Sequence, residues 1–190
     1  MSSHESSRRA FLKTAAQRSL ILLSLPAMLS AREQASAVQA GGHAFTTLKA
    51  EEAAEFAAIA ARIIPTDETP GATEAGVIYF IDQVLGTSRP EALAPMRAGL
   101  ATLQASARST YQASTFRGLD AVRQDALLQS IETTPFFETM RYLTIAGMFS
   151  RPEYGGNRDG IGWRLIGFED RHMWQPPFGF YDASHMSAGR

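Results

Sequence analysis

Apolar residues recur at spacings of three and four along most of this chain, and strict alternation never persists for long. Between Leu48 and Ile64, Phe56, Ile59, Ala60, Ile63 and Ile64 fall on the i, i+3, i+4, i+7, i+8 positions of one buried helical stripe. Glu51 and Glu52 stand in the first turn, where the helix dipole favours negative charge, and Pro65 stops the helix. Glu74 to Leu85 predicts a short helix with Val77, Phe80, Ile81 and Val84 inward and Gly86 as its C-terminal stop. Leu93, Met96, Leu100, Leu103, Ala107 and Tyr111 predict a long helix with a single apolar seam. A shorter helix from Asp120 to Glu132 buries Leu127, Leu128 and Ile131, with Asp120 as N-cap. Thr134-Pro135 opens a fifth helix, carrying Phe137, Met140, Leu143 and Met148 near one face and ending at Ser150-Arg151-Pro152. The pattern predicts an all-α single domain of about five helices with no internal repeat.

Three stretches depart from this periodicity. Pro65 to Gly71 holds two prolines and a glycine, so it reads as a turn-rich connector, with Asp67 and Glu68 as adjacent carboxylates. Arg151 to Phe168 packs Gly155, Gly156, Gly160, Gly162 and Gly167 among Tyr154, Trp163 and Phe168. Glycine at that density disfavours helix and strand alike, which leaves an ordered loop held by aromatic anchors. The loop fits neither a dinucleotide fingerprint, since no strand precedes it and Leu165 follows Gly160 and Gly162, nor a calcium loop, since Gly155 and Ile166 at its ends carry no carboxylate. It reads either as a cover over the domain's own core or as a partner-binding surface anchored by Tyr154, Arg158 and Trp163. The tail beyond it, with Trp174, Phe178, Phe180 and Tyr181, is too apolar to be left in water, and extends this segment into a long C-terminal arm.

The N-terminus carries a different message. Ser7-Arg8-Arg9-Ala10-Phe11-Leu12-Lys13 matches the twin-arginine export pattern S-R-R-x-F-L-K at every position. The apolar run from Leu20 to Leu29 that follows is about half the ~20 residues needed to span a bilayer. Ala35-Ser36-Ala37 offers an A-x-A cleavage site, and Val38-Gln39-Ala40 a second. The expected organisation is a signal peptide over 1–37, a linker over 38–47 and one helical domain over 48–190, in a protein exported to the periplasm by the twin-arginine translocase.

Loss of residues 1–37 removes five basic and two acidic side chains from totals of 18 and 19, leaving a net charge of −4. That balance, with no basic patch, argues against nucleic acid as a partner. Cysteine is absent, which excludes disulfides, thiolate-held iron–sulfur clusters and covalent haem attachment through C-x-x-C-H. Beyond the signal only His43, His172 and His185 are available as bases, and no flavin or nicotinamide motif is present. No catalytic, cofactor-binding or metal residue is therefore assigned. An independent enzyme or metal-binding protein using Asp67, Glu68, Glu169, Asp170 and His172 is the competing reading.

Several segments taken together resemble subunit 3 of gluconate 2-dehydrogenase. They are the signal at 7–13, the run from Ile63 to Ala72, Glu74-Ala75-Gly76-Val77 with Tyr79-Phe80-Ile81-Asp82, Phe136-Phe137, Pro152 to Asn157, and Gly160 to Phe168. The resemblance implies a non-catalytic small subunit bound to a large FAD-containing dehydrogenase of the glucose–methanol–choline type, with haem c in a possible multihaem cytochrome c subunit. It further implies that the small subunit assists export, maturation and stability of the large one, and that the complex is membrane-associated. The interface with the large subunit is then expected at Pro65, Asp67, Pro70 and Gly71, at Tyr154, Gly155, Gly156, Asn157, Arg158 and Trp163, and at Trp174, Phe178 and Phe180.

Overall fold

A computed structural model describes residues 45–171 and residue 173 of the chain. Among these residues there are six α-helices and no strand: α1 (Ala50–Ile63), α2 (Val77–Gln83), α3 (Pro90–Tyr111), α4 (Ala121–Ser130), α5 (Pro135–Phe149) and α6 (Ile161–Leu165). The end signals read from sequence operate as expected at two helices. Asp120 accepts the Arg123 N–H at 2.9 Å to cap α4, and Thr134 accepts the Phe137 N–H at 3.3 Å ahead of Pro135 in α5.

α5 lies at the centre, in contact with α1, α2, α3 and α6. Its Met140, Leu143 and Met148 are buried together with Phe56 and Ile59 of α1, Val77 and Ile81 of α2, and Met96 and Leu103 of α3. Burying each such side chain contributes about 1.5–3 kcal/mol. α4 adds Leu127 and Leu128 at the edge of this cluster. The apolar stripe of α1 is fully buried at Phe56, Ile59 and Ala60 and only half-buried at Ile63 and Ile64, where the helix runs out of the core.

Three expectations are corrected. The second helix starts at Val77 rather than Glu74, because the Glu74 carboxylate is occupied by the Gly71 N–H at 2.9 Å and the Thr66 hydroxyl at 2.6 Å, which folds residues 65–76 into turns. Gly86 does not stop that helix. The chain widens there into a π-helical turn over Val84–Ser88, closed by Arg89 N–H to the Val84 carbonyl at 2.7 Å. A side chain at Gly86 would collide with Thr47, so this glycine serves the close approach of the segment before α1. Finally, the glycine-rich stretch is not a plain loop. It contains two 3₁₀ turns, Pro152–Tyr154 and Arg158–Gly160, and the short helix α6, and its Gly156 and Gly162 lie where a Cβ would collide with the backbone carbonyls of Gly147 and Met148 in α5.

Candidate interaction surface

The segment after α5 is built around one side chain. Asn157 is fully buried, with φ at +44°, a backbone conformation that Asn adopts more readily than most residues. Its Nδ2 donates to the Ser150 carbonyl at 2.7 Å, and its Oδ1 accepts the Gly162 N–H at 2.7 Å. One amide thus satisfies the C-cap of α5 and an early N–H of α6. Trp163 donates its indole N–H to the Phe149 carbonyl at 2.9 Å and meets the Phe168 ring edge-on at 5.2 Å. Gly156 lies so close to the Gly147 carbonyl that any Cβ there would clash. These contacts seat the segment on the C-terminal end of α5, and they occupy Asn157, Gly155 and Gly156 inside the fold.

The connector after α1 joins the same region. Asp67 accepts the N–H and hydroxyl of Thr69 at 2.8 and 2.9 Å, and these hydrogen bonds, the backbone one first, hold its carboxyl below the ordinary value. Pro65 and Asp67 are exposed, Pro70 is half-buried and Gly71 is buried. The turn at 71–76 then receives the later segment, since Arg158 N–H donates to the Ala75 carbonyl at 3.0 Å. Gly155 lies against the backbone of Tyr79 and Phe80. The separate stretches 71–82 and 152–162 therefore form one packed unit.

Exposed apolar side chains concentrate on α5 and around the end of α6, just beyond this unit. Among the described residues seven large hydrophobic side chains are exposed, and five of them belong to α5 or to α6 and the residues just after it: Tyr142, Ile145, Leu165, Ile166 and Phe168. Ile166 is the most open of the five at 61%. Contiguous exposed apolar patches are the surfaces on which proteins meet other apolar surfaces, which makes these side chains candidates for such a contact. Reading the sequence missed Tyr142 and Ile145. They are apolar positions of α5 that fall off its Met140–Leu143 seam, which is the signal that would have found them. Tyr154 and Trp163 are half-buried and Arg158 is exposed. Arg8, Arg9, Phe11, Leu12, Lys13, Ala35 and Ala37 of the expected signal, and Trp174, Phe178 and Phe180 of the tail, lie outside the described residues.

The carboxylates proposed for metal or acid–base work are otherwise engaged or apart. Arg171 pairs with Glu169, Arg151 lies 4.0 Å from Asp170, and His172 is outside the described residues. No group of three or more His, Cys, Asp or Glu side chains suited to a metal forms among the described residues. No helix among them is long and apolar enough to cross a membrane.

A family model described as gluconate 2-dehydrogenase subunit 3 matches residues 50–170, from the first residue of α1 past the end of α6. The chain belongs to this family. Its name is that of one subunit of a multi-subunit gluconate dehydrogenase, and the match takes in both packed segments and the exposed apolar residues of α5 and α6. No curated protein and no solved structure matches the chain.

Proposed function

We propose that this chain is the non-catalytic small subunit of a periplasmic, membrane-associated, FAD-dependent gluconate or sugar dehydrogenase complex. The reading is supported above all by the grouping of exposed apolar side chains on α5 and α6 in a member of a subunit family. FAD belongs to the large partner, of the glucose–methanol–choline type, and haem c to a cytochrome subunit where one is present. The partner binds through the α5–α6 face, and the two travel together.

The signal at Ser7 to Lys13 supplies the reason for joint travel. The twin-arginine route carries proteins already folded, so a flavoprotein loaded in the cytoplasm can cross as the passenger of this subunit. Maturation and stability of the large subunit follow from the same contact, because a bound partner stabilises whatever folded state it binds.

The test is to replace Arg8 and Arg9 together by Lys and to follow the flavoprotein. Both proteins are expected to remain in the cytoplasm. Normal periplasmic levels of the flavoprotein would remove the escort role. Failure of the unaltered chain to co-purify with any flavoprotein would remove the subunit reading as a whole.

A further inference from the structure

Arg158 is held in a manner that no other described arginine shares. Its backbone is fixed by the bond to the Ala75 carbonyl and by left-handed residues on either side, Asn157 at φ +44° and Asp159 at φ +55°. Its guanidinium lies over the Tyr79 ring at 5.7 Å, and Tyr79 in turn stacks on Phe45 at 5.4 Å. Gly76 makes room for it, since a Cβ at that position would stand 3.2 Å from Nη2 and the φ of +65° suits glycine. The result sets a cation and a second aromatic ring against the one tyrosine, drawn from stretches far apart in sequence.

Most arginines of this domain have a carboxylate. Arg62 pairs with Asp125, Arg97 with Glu52, Arg117 with Glu51 and Glu55, and Arg123 pairs with Asp120 while lying over Tyr111. Among the described residues, Arg158 alone is stacked on an aromatic ring and has no carboxylate partner. Its planar fork matches a carboxylate with two parallel N–H donors, and its ordering lowers the entropy lost when such a pair forms. It also stands three residues before α6, whose exposed side chains supply the apolar part of a contact.

We infer that the Arg158–Tyr79–Phe45 stack is a preformed receptor for a carboxylate side chain of the flavoprotein subunit. The inference rests on the subunit reading and assigns its polar anchor. A fixed charge beside an apolar patch sets orientation as well as affinity, because a partner lacking the acid leaves the guanidinium unpaired on closure.

The experiment measures binding of the full chain to its co-expressed flavoprotein over a series of salt concentrations. Arg158→Gln is expected to weaken binding at low salt by tenfold or more and to flatten the salt dependence. Arg158→Lys keeps the charge but not the fork, and recovers only part of the loss. Tyr79→Leu removes the platform and gives a smaller, several-fold loss with the salt dependence retained. Melting of Arg158→Gln should equal that of the unaltered chain; if it falls, Arg158→Lys carries the comparison. Equal affinity and equal salt dependence for Arg158→Gln and the unaltered chain overturn this inference while leaving the subunit reading intact. No binding by the unaltered chain overturns both.

Discussion

The carboxylate of Asp82 accepts the Leu48 backbone N–H at 2.7 Å, and does so from a site only 2% exposed. The same two oxygens take the Thr47 N–H at 3.0 Å and both the N–H and hydroxyl of Thr46 at 2.9 Å. One side chain of α2 therefore ties down the three residues that lead into the turn before α1. These bend residues have no helical or sheet partner for their N–H groups, and the buried one at Leu48 needs such an acceptor.

Removing the acceptor leaves the buried Leu48 N–H and the more exposed N–H groups of Thr46 and Thr47 without this partner, at about 1–3 kcal/mol for each that stays dry. Asp82→Ala is expected to lower unfolding stability by about 2–4 kcal/mol, allowing for water that reaches the vacated site. Asp82→Asn retains one acceptor oxygen and should fall between. Urea denaturation of the domain from residue 38 measures both. A loss below ~1 kcal/mol for Asp82→Ala would show that the clamp is not needed for the fold.

Trp163 combines a hydrogen bond to the end of α5 with ring contact to Phe168. Its half-buried body serves the domain itself, so Trp163→Ala is expected to cost about 2–4 kcal/mol in the isolated chain. Trp163→Phe keeps most of the ring and loses the N–H, costing about 1 kcal/mol. Melting curves in the absence of any partner decide the matter. Unchanged melting for Trp163→Ala would return this residue to the partner-binding surface alone.

The elements legible in the sequence are those whose signals are local. The caps at Asp120 and Thr134, the seam of α3 and the stripe of α1 need only neighbours within a turn or two. Gly86 misleads because its role is set by Thr47, a residue far away in the chain, and a glycine needed for close approach looks the same as one needed for a cap. The glycine-rich segment misleads for a related reason. Counted by composition it is a loop, whereas Asn157 supplies two hydrogen bonds that make short helical turns stable around its glycines. The Arg158 stack is half legible: the sequence marks the arginine as an anchor, but Tyr79 and Phe45 are brought to it only by the fold.

Two ion pairs make stability depend on acidity. Arg62 donates to both oxygens of Asp125 at 2.7 Å, joining α1 to α4, and Arg97 grips Glu52 at 2.8 and 2.9 Å, joining α3 to α1. These side-chain hydrogen bonds hold Asp125 below its ordinary value of 3.8 and Glu52 below 4.5. The folded state thus binds protons less readily than the unfolded one, so the stabilisation is complete above the ordinary values and is lost as pH falls through them toward the depressed ones. Each pair is partly exposed and contributes about 0.3–1 kcal/mol. Asp125→Asn is expected to lower melting near neutral pH by about 1–4 °C. The gap should close well below pH 3.8, and a gap that widens on acidification would refute the assignment.

Ile166 offers the sharpest separation of fold from interface. It follows α6, is 61% exposed and is absent from the buried cluster and from the side chains packed against it. Ile166→Asp therefore removes little that the isolated domain uses, and its melting should change by no more than about 0.5 kcal/mol equivalent. Against an apolar partner surface the same change buries a carboxylate without a counter-ion, which costs far more than the lost apolar contact. Co-purification of the flavoprotein is expected to collapse while melting stays constant. Ile145→Asp, on the exposed side of α5, should act alike, because both side chains belong to the face assigned to the partner. Val122→Asp is the control: that residue is 79% exposed but stands on α4, which is not one of the elements assigned to the partner, and should leave both measurements unchanged. If all three variants retain the partner, docking takes place elsewhere on the domain. If all three lose it, the effect is one of added negative charge rather than of a particular surface. Only loss at Ile145 and Ile166 with retention at Val122 assigns the contact to α5 and α6.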